Sequence, residues 1–237
     1  MHTLDILIPA YNEGPNIVTT LELLRRNVKT PSRALICYDF EEDDTLAALR
    51  GYRPEGFEVV LVKNRGTGVH AAVRSGFQAS TAPAVLVFPA DDHQNAGMID
   101  QMVRRFDEGC DVVVSSRLMP GGRMEGYPAL KRVLVRTCAW TLRRLAGLPT
   151  HDPTNGFRLF SRRLLQAVEL ESSQGFTYSI ELLVKCHRLG WKIGEVPEQW
   201  VQRQAGSSKF RLLKWLPAYL RWYGYAFATT YLRTSHP

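Results

Sequence analysis

Val85-Leu86-Val87-Phe88-Pro89-Ala90-Asp91-Asp92-His93-Gln94 decides how this chain is read. Its four leading apolar residues predict a short buried strand. The run then ends in two carboxylates and an imidazole. In an open α/β sheet, ligands bind beyond the carboxyl ends of the strands. Hard acceptors at that point suit a divalent cation and the diphosphate it bridges. The alternative role for Asp91 or Asp92 is to cap the next helix. A second run of the same design favours the ligand reading: Leu4-Asp5-Ile6-Leu7-Ile8, followed by Pro9-Ala10-Tyr11-Asn12-Glu13. Pro9 has no amide for a central ladder and closes that strand. Ile17, Leu21 and Leu24 then recur at helical spacing.

A third strand, Ala34-Leu35-Ile36-Cys37-Tyr38, ends in Asp39, with Glu41, Glu42, Asp43 and Asp44 behind it. A fourth, Phe57 to Val62, runs into Lys63-Asn64-Arg65-Gly66-Thr67-Gly68. Short apolar strands alternating with helical segments predict an α/β fold with a mostly parallel sheet. A chain of 237 residues is long enough for one such domain with a sizeable core. Cys37, Cys110, Cys138 and Cys186 show no paired spacing. They read as reduced thiols in a cytosolic compartment, without a zinc knuckle. The N-terminal residues include Asp5 and no long apolar run, so no signal peptide is expected.

The charge is unevenly placed. Residues 1–198 carry 24 of the 30 Lys and Arg and all 23 Asp and Glu. Beyond Glu198 lie Arg203, Lys209, Arg211, Lys214, Arg221 and Arg233, interleaved with Trp215, Tyr219, Trp222, Tyr223 and Tyr225. Basic and aromatic residues on a helical repeat suit either an interfacial helix on anionic lipid or a C-terminal helix packed on the domain. The uncharged stretch between Arg221 and Arg233 falls short of the ~20 residues a spanning helix needs. A second basic helix is predicted from Lys131 to Arg144, with Val133, Trp140 and Leu145 on one stripe and Arg132, Arg136 and Arg143 on another. No nucleic-acid-binding motif accompanies the charge.

In Pro9-Ala10-Tyr11-Asn12-Glu13, in Asp39 with Asp43 and Thr45, in Gly66-Thr67-Gly68 through Phe77, and in Ala90-Asp91, the chain resembles family 2 glycosyltransferases of the GT-A fold. Ser115-Ser116-Arg117, Asp152-Pro153-Thr154-Asn155-Gly156-Phe157-Arg158 and Arg203-Gln204-Ala205-Gly206-Ser207-Ser208-Lys209 resemble the polyprenyl-phosphate (dolichyl-phosphate) sugar synthase branch. Two positions depart from the pattern. The first carboxylate of the family's Asp-x-Asp is Pro89, and Tyr38 stands where the paired Asp of its second motif begins.

The resemblance implies a transferase domain over residues 1–205. A nucleotide-sugar half spans 1–115 and an acceptor half 116–205, with a basic aromatic segment at 206–237 serving as lid and membrane-surface helix. The donor is a GDP- or UDP-sugar. It is held by Pro9, Ala10, Tyr11, Glu13, Asp39, Arg65, Gly66, Gly68, Ala90 and Asp91, and closed over by Arg203, Ser207 and Lys209. Asp91 with His93 holds Mn²⁺ or Mg²⁺. An imidazole in place of a second carboxylate should favour Mn²⁺. Arg117, Lys131 and Arg132 meet the phosphate of a polyprenyl acceptor, and the sugar is transferred with inversion. Should the acceptor instead be a hydroxyl, a base is required, and Asp152 is nominated.

The expected location is the cytoplasmic face of a membrane, either as a peripheral protein or beside a membrane protein partner. Two other readings remain at this stage: a family 2 transferase with a saccharide or other hydroxyl acceptor, and a non-catalytic binding module. A nicotinamide-binding domain or a sugar nucleotidyltransferase would place its glycine-rich loop after the first strand, where this chain has Tyr11-Asn12-Glu13.

Overall fold

The computed structural model describes residues 2–201 and 212–232. Uninterrupted apolar runs make strands buried on both faces. Here these are β1 (Leu4–Pro9), β2 (Ser32–Tyr38), β4 (Ala84–Val87) and β5 (Val112–Ser116), each buried along most of its length. Together with β3 (Glu58–Lys63), β7 (Arg158–Ser161) and β8 (Ile193–Pro197) they form one seven-stranded sheet, ordered β3-β2-β1-β4-β7-β5-β8. All neighbours run parallel except β7, which is antiparallel to both β4 and β5. Two short strands, β6 (Arg123–Glu125) and β9 (Gln199–Val201), pair separately.

Helices cover both faces. α1 (Asn16–Asn27) buries Ile17, Thr20, Leu21 and Leu24, as its periodicity predicts. α3 (Val69–Ala79) crosses β1 so closely that a Cβ on Gly76 would lie 2.1 Å from Leu7. α2 (Asp44–Leu49), α4 (Ile99–Asp107), α5 (Ala129–Arg144), α6 (Arg162–Ala167) and α7 (Thr177–Arg188) complete the layers. α8 (Leu212–Tyr231) packs along α7, with Trp222 and Ala226 fully buried.

This order brings the functional segments to one edge. The chain winds from β1 outward to β3, then returns to place β4 on the other side of β1. The β1/β4 boundary is therefore a topological switch point, where such sheets bind ligands. Because β7 is reversed, its first residue, Arg158, pairs with Val87 at the carboxyl end of β4. The loop before β7, residues 152–157, thus reaches the same edge as the ends of β1, β2, β4, β5 and β8. The predicted boundary at residue 115 does not divide the sheet, since β7 from the acceptor half lies between β4 and β5. Of the C-terminal segment, α8 is packed against α7.

Candidate active site

On the β1/β2 side, the loop after β1 is held by its backbone. Asn12 takes a left-handed φ of 52°. Its amide donates to the Asp43 carboxylate at 3.1 Å, Glu13 N–H to Thr45 Oγ1 at 3.0 Å, and Gly14 N–H to Asp44 Oδ1 at 2.8 Å. Asp43 also caps α2 through Thr45 N–H at 2.9 Å. Asp43 and Thr45, two of the residues behind the family resemblance, therefore shape the loop that carries Tyr11 and Glu13. Tyr11 is half exposed, edge-on to Phe40 with ring centroids 5.7 Å apart.

Asp39 sits at the mouth of β2 and spans to the glycine-rich loop. It accepts from Asn64 Nδ2 at 2.6 Å and from Gly68 N–H at 2.7 Å. Gly68 adopts φ 85°, a conformation that favours glycine, and precedes the first turn of α3. Each Asp39 oxygen keeps a second lone pair. The buried Oδ1 of Asn64 beside it has no hydrogen-bond partner among the described residues. Gly66 and the Arg65 side chain are exposed at this rim.

Beyond β4, Ala90 C=O accepts from Thr20 Oγ1 at 2.6 Å and Asn16 Nδ2 at 3.3 Å, tying the turn to α1. The two carboxylates of this turn are not equivalent. Asp92 Oδ1 accepts from the amides of Gln94 and Asn95, both at 3.0 Å, and Asn95 Nδ2 reaches both its oxygens. Asp92 is thus the carboxylate that caps this turn. His93 Nε2 lies 3.2 Å from Thr20 Oγ1. The single Thr20 proton is engaged by Ala90, so the imidazole donates from Nε2 and keeps its lone pair on Nδ1.

Among the described residues no three His, Cys, Asp or Glu side chains converge on a metal position. One carboxylate and one imidazole in the turn after β4 fit a divalent cation that takes its remaining oxygens from a diphosphate, and the imidazole suits Mn²⁺ better than Mg²⁺. Arg203, Ser207 and Lys209 lie outside the described residues.

The third cluster follows β5. Arg117 and Asp152 form a buried fork: Nε to Oδ2 is 2.7 Å, Nη2 to Oδ1 is 2.9 Å, and the Arg117 amide reaches Oδ2 at 3.1 Å. Arg117 Nη2 also donates to Thr154 Oγ1 at 3.0 Å. Burial alone would push the Asp152 carboxyl up, but the charge and hydrogen bonds of Arg117 outweigh it and hold the group low. Burial likewise opposes the Arg117 cation, and Asp152 more than restores it. A fully buried, cation-paired carboxylate is a poor proton acceptor, which weighs against Asp152 as base.

Tyr127 joins this pair to α5. The Arg117 guanidinium lies 5.8 Å from its ring centre, and Arg132 Nη2 donates to its carbonyl at 2.9 Å. The buried Arg132 Nε has no hydrogen-bond partner among the described residues. Lys131 is half-buried one residue earlier, in the first turn of α5.

Glu181 is buried on α7, where it accepts from the amides of Glu171 and Ser172 and pairs with Lys185 at 2.8 Å. Arg158 donates to the carbonyls of Ser179 and Asp152.

One residue was missed from the sequence. Glu198, directly after β8, is 3% exposed. Its Oε2 accepts from Ser115 Oγ at 2.5 Å and from Asn155 Nδ2. Burial pushes its carboxyl up to about 7, against the Ser115 hydrogen bond and the charge of Arg117. Its strand, Ile193–Pro197, carries Gly194 and Glu195 and is only partly buried, so no apolar run marked Glu198 in the sequence.

Known proteins resemble this chain in sequence and in fold. Polyprenol monophosphomannose synthase of Mycolicibacterium smegmatis is 28% identical over 213 residues, covering 86% of this chain and 79% of that protein. Undecaprenyl-phosphate mannosyltransferase of Micrococcus luteus is 28% identical over 209 residues, covering 86% and 85%. The fold matches glucosyl-3-phosphoglycerate synthase from Mycobacterium tuberculosis in complex with uridine-diphosphate, with TM-score 0.68, 20% identity and coverage of 94% and 80%. It also matches that enzyme in complex with Mn²⁺, uridine-diphosphate and glucosyl-3-phosphoglycerate, with TM-score 0.67, 18% identity and coverage of 99% and 82%. These likenesses establish the GT-A fold. The profile of the family described as glycosyl transferase family 2 matches residues 5–168, and the chain belongs to that family.

Proposed function

We propose that this glycosyltransferase moves a sugar, with inversion, from a nucleotide diphosphate sugar to a polyprenyl phosphate at a membrane surface. The observation that carries the acceptor reading is the Arg117–Tyr127–Arg132 cluster. It gathers guanidinium groups beside the first turn of α5, with an orphan buried donor on Arg132. Such a constellation suits a phosphate, which is bound by charge-assisted donors and by helix N-termini. The two curated relatives, a polyprenol monophosphomannose synthase and an undecaprenyl-phosphate mannosyltransferase, support the same acceptor class.

On the donor side, Tyr11, Asp39 and the unfilled Oδ1 of Asn64 form the nucleoside pocket, and the amide-rich loop at Gly66 to Gly68 lies over it. Asp91 and His93 Nδ1 would hold the divalent cation, which neutralises charge developing on the diphosphate leaving group. Arg203, Ser207 and Lys209 are proposed to close over the donor phosphates. Arg117, Lys131 and Arg132 orient the acceptor phosphate, whose oxygen attacks the anomeric carbon opposite the departing nucleoside diphosphate. A phosphate oxygen is already anionic at neutral pH, so no protein base is required at this step. Asp152 is a positioning residue that fixes the Arg117 fork.

The membrane-facing surface is proposed to be α5 rather than α8. Leu130, Val133, Leu134 and Trp140 are 49–74% exposed along one stripe of α5, with Arg136 and Arg143 also exposed. α8 instead turns Trp222 and Ala226 inward, and no helix among the described residues is long and apolar enough to cross a membrane. An apolar stripe flanked by arginines fits an anionic lipid surface.

Substitution of Arg132 tests the acceptor assignment. Arg132→Gln should raise the KM for a short-chain prenyl phosphate about tenfold, the size expected for one charged hydrogen bond, with the donor KM unchanged. A rise in the donor KM instead would move Arg132 to the wrong side of the site.

A further inference from the structure

Three strands end in a carboxylate at the functional edge, and the third of these has no part in the chemistry above. Glu198 follows β8 and precedes β9. Its amide donates to Ser116 C=O at 3.0 Å, and its carbonyl accepts from the Arg123 amide at 2.9 Å. The side chain turns inward to Ser115, the penultimate residue of β5, and to Asn155, in the loop that carries Asp152. Asn155 Nδ2 in turn donates to Ser115 C=O at 2.9 Å, and Asn155 Oδ1 accepts from Phe157 N–H at 3.2 Å. One carboxyl thus ties the two segments that present Arg117 and Asp152.

The charges facing it come from every side of the cluster. Arg117 lies past β5, Asp152 in the loop before β7, and Asp92 in the turn after β4. Only Arg117 favours the Glu198 anion. Arg117 is already matched by Asp152 in a fork. An ionised Glu198 therefore adds a negative charge beside the Arg117–Asp152 pair, and a neutral Glu198 adds none. An incoming phosphate would meet that added charge.

We infer that Glu198 is a positioning residue of the acceptor side, holding Ser115 and Asn155 in place and setting the net charge around the Arg117–Asp152 pair that an anionic acceptor meets. The inference rests on the lipid-phosphate reading above. It follows that acceptor binding weakens as Glu198 loses its proton, and its carboxyl, pushed up to about 7 by burial, does so near neutrality. Donor binding, on the far side of β4, does not follow this titration.

The test compares wild type with Glu198→Gln, which keeps the oxygen that Ser115 and Asn155 donate to, using a water-soluble short-chain prenyl phosphate. The acceptor's own titration is common to both proteins and cancels in their ratio. The acceptor KM of wild type relative to the variant should be near unity at pH 6 and rise about fivefold to tenfold by pH 8.5, the scale of one charge at short range in a partly screened site. The donor KM ratio should stay flat. Glu198→Leu, which removes the tether and the charge, should lower kcat at every pH while keeping the acceptor KM ratio to Glu198→Gln independent of pH.

An acceptor ratio that is constant across this range, or a pH dependence carried by the donor KM, overturns the inference and leaves the functional reading standing. Failure of wild type to transfer any sugar to the prenyl phosphate overturns the reading itself, and this inference with it.

Discussion

At the scale of single residues, identical chemical groups at one sheet edge do different work because their surroundings differ. Asp152 and Glu198 are both buried carboxyls near Arg117, yet they shift in opposite directions. Asp152 is held low, so its stabilising contribution is present above the unfolded carboxylate range and is lost as pH falls through that range. Asp152→Asn leaves the buried Arg117 uncompensated and should cost about 3–5 kcal/mol in denaturant unfolding at pH 7. It should not remove an ascending limb from the pH–rate profile, as loss of a general base would.

Glu198 is held high, so the folded protein keeps its proton to about pH 7 while the unfolded chain releases it near 4.5. Stability therefore falls as pH rises through that window. Glu198→Gln should be more stable than wild type at pH 8, by at most roughly 3 kcal/mol, and indistinguishable below pH 4. Equal melting temperatures at pH 8 would show that the buried carboxyl ionises without cost. The sequence made Asp91 and Asp39 legible because each follows an apolar strand, and Arg117 only through the family resemblance of Ser115-Ser116-Arg117. It did not separate Asp91 from Asp92, since only the turn to Asn95 decides which one caps.

At the scale of elements, β1, α1, β2 and β4 were readable from periodicity alone, because strands buried on both faces and an amphipathic helix leave unambiguous patterns. The register of β7 was not. Arg158-Leu159-Phe160-Ser161 is too short to announce a strand, and its antiparallel insertion between β4 and β5 depends on long-range pairing. That pairing brings Asp152 to Arg117. The contact of α3 with β1 is similarly tertiary. Gly76→Ala would place a methyl in the space of Leu7 and should destabilise the fold by about 1–3 kcal/mol.

The two basic helices also divide in a way that composition did not reveal. Both α5 and α8 carry aromatic and basic residues, but α8 buries Trp222 while α5 leaves Trp140 exposed. Replacing Leu130, Val133 and Trp140 by serine should reduce binding to anionic vesicles at least tenfold in a flotation assay, since each apolar side chain contributes on the order of 1–3 kcal/mol. The melting temperature should barely change. Retained binding would return the membrane contact to the segment from 206.

At the scale of the whole molecule, the winding of one sheet gathers the candidate loops on a single edge, with the proposed donor groups at the β1/β4 switch point and the proposed acceptor groups across β7. Family membership rests on a match over residues 5–168, while Glu198 and α8 lie beyond it. With Pro89 in place of the first Asp-x-Asp carboxylate, the proposed cation would rest on Asp91, His93 and the donor's diphosphate. Activity should then depend on divalent ion and be lost with EDTA. His93→Ala should weaken a preference for Mn²⁺ over Mg²⁺, because the softer imidazole ligand is removed.

The most direct measurement is release of nucleoside diphosphate from a panel of GDP- and UDP-sugars with Mn²⁺, with and without detergent-solubilised polyprenyl phosphate. The account predicts release from one donor that rises steeply with the lipid phosphate and yields a lipid-linked sugar. Release that is indifferent to the lipid, or that rises only with a hydroxyl acceptor, would contradict it.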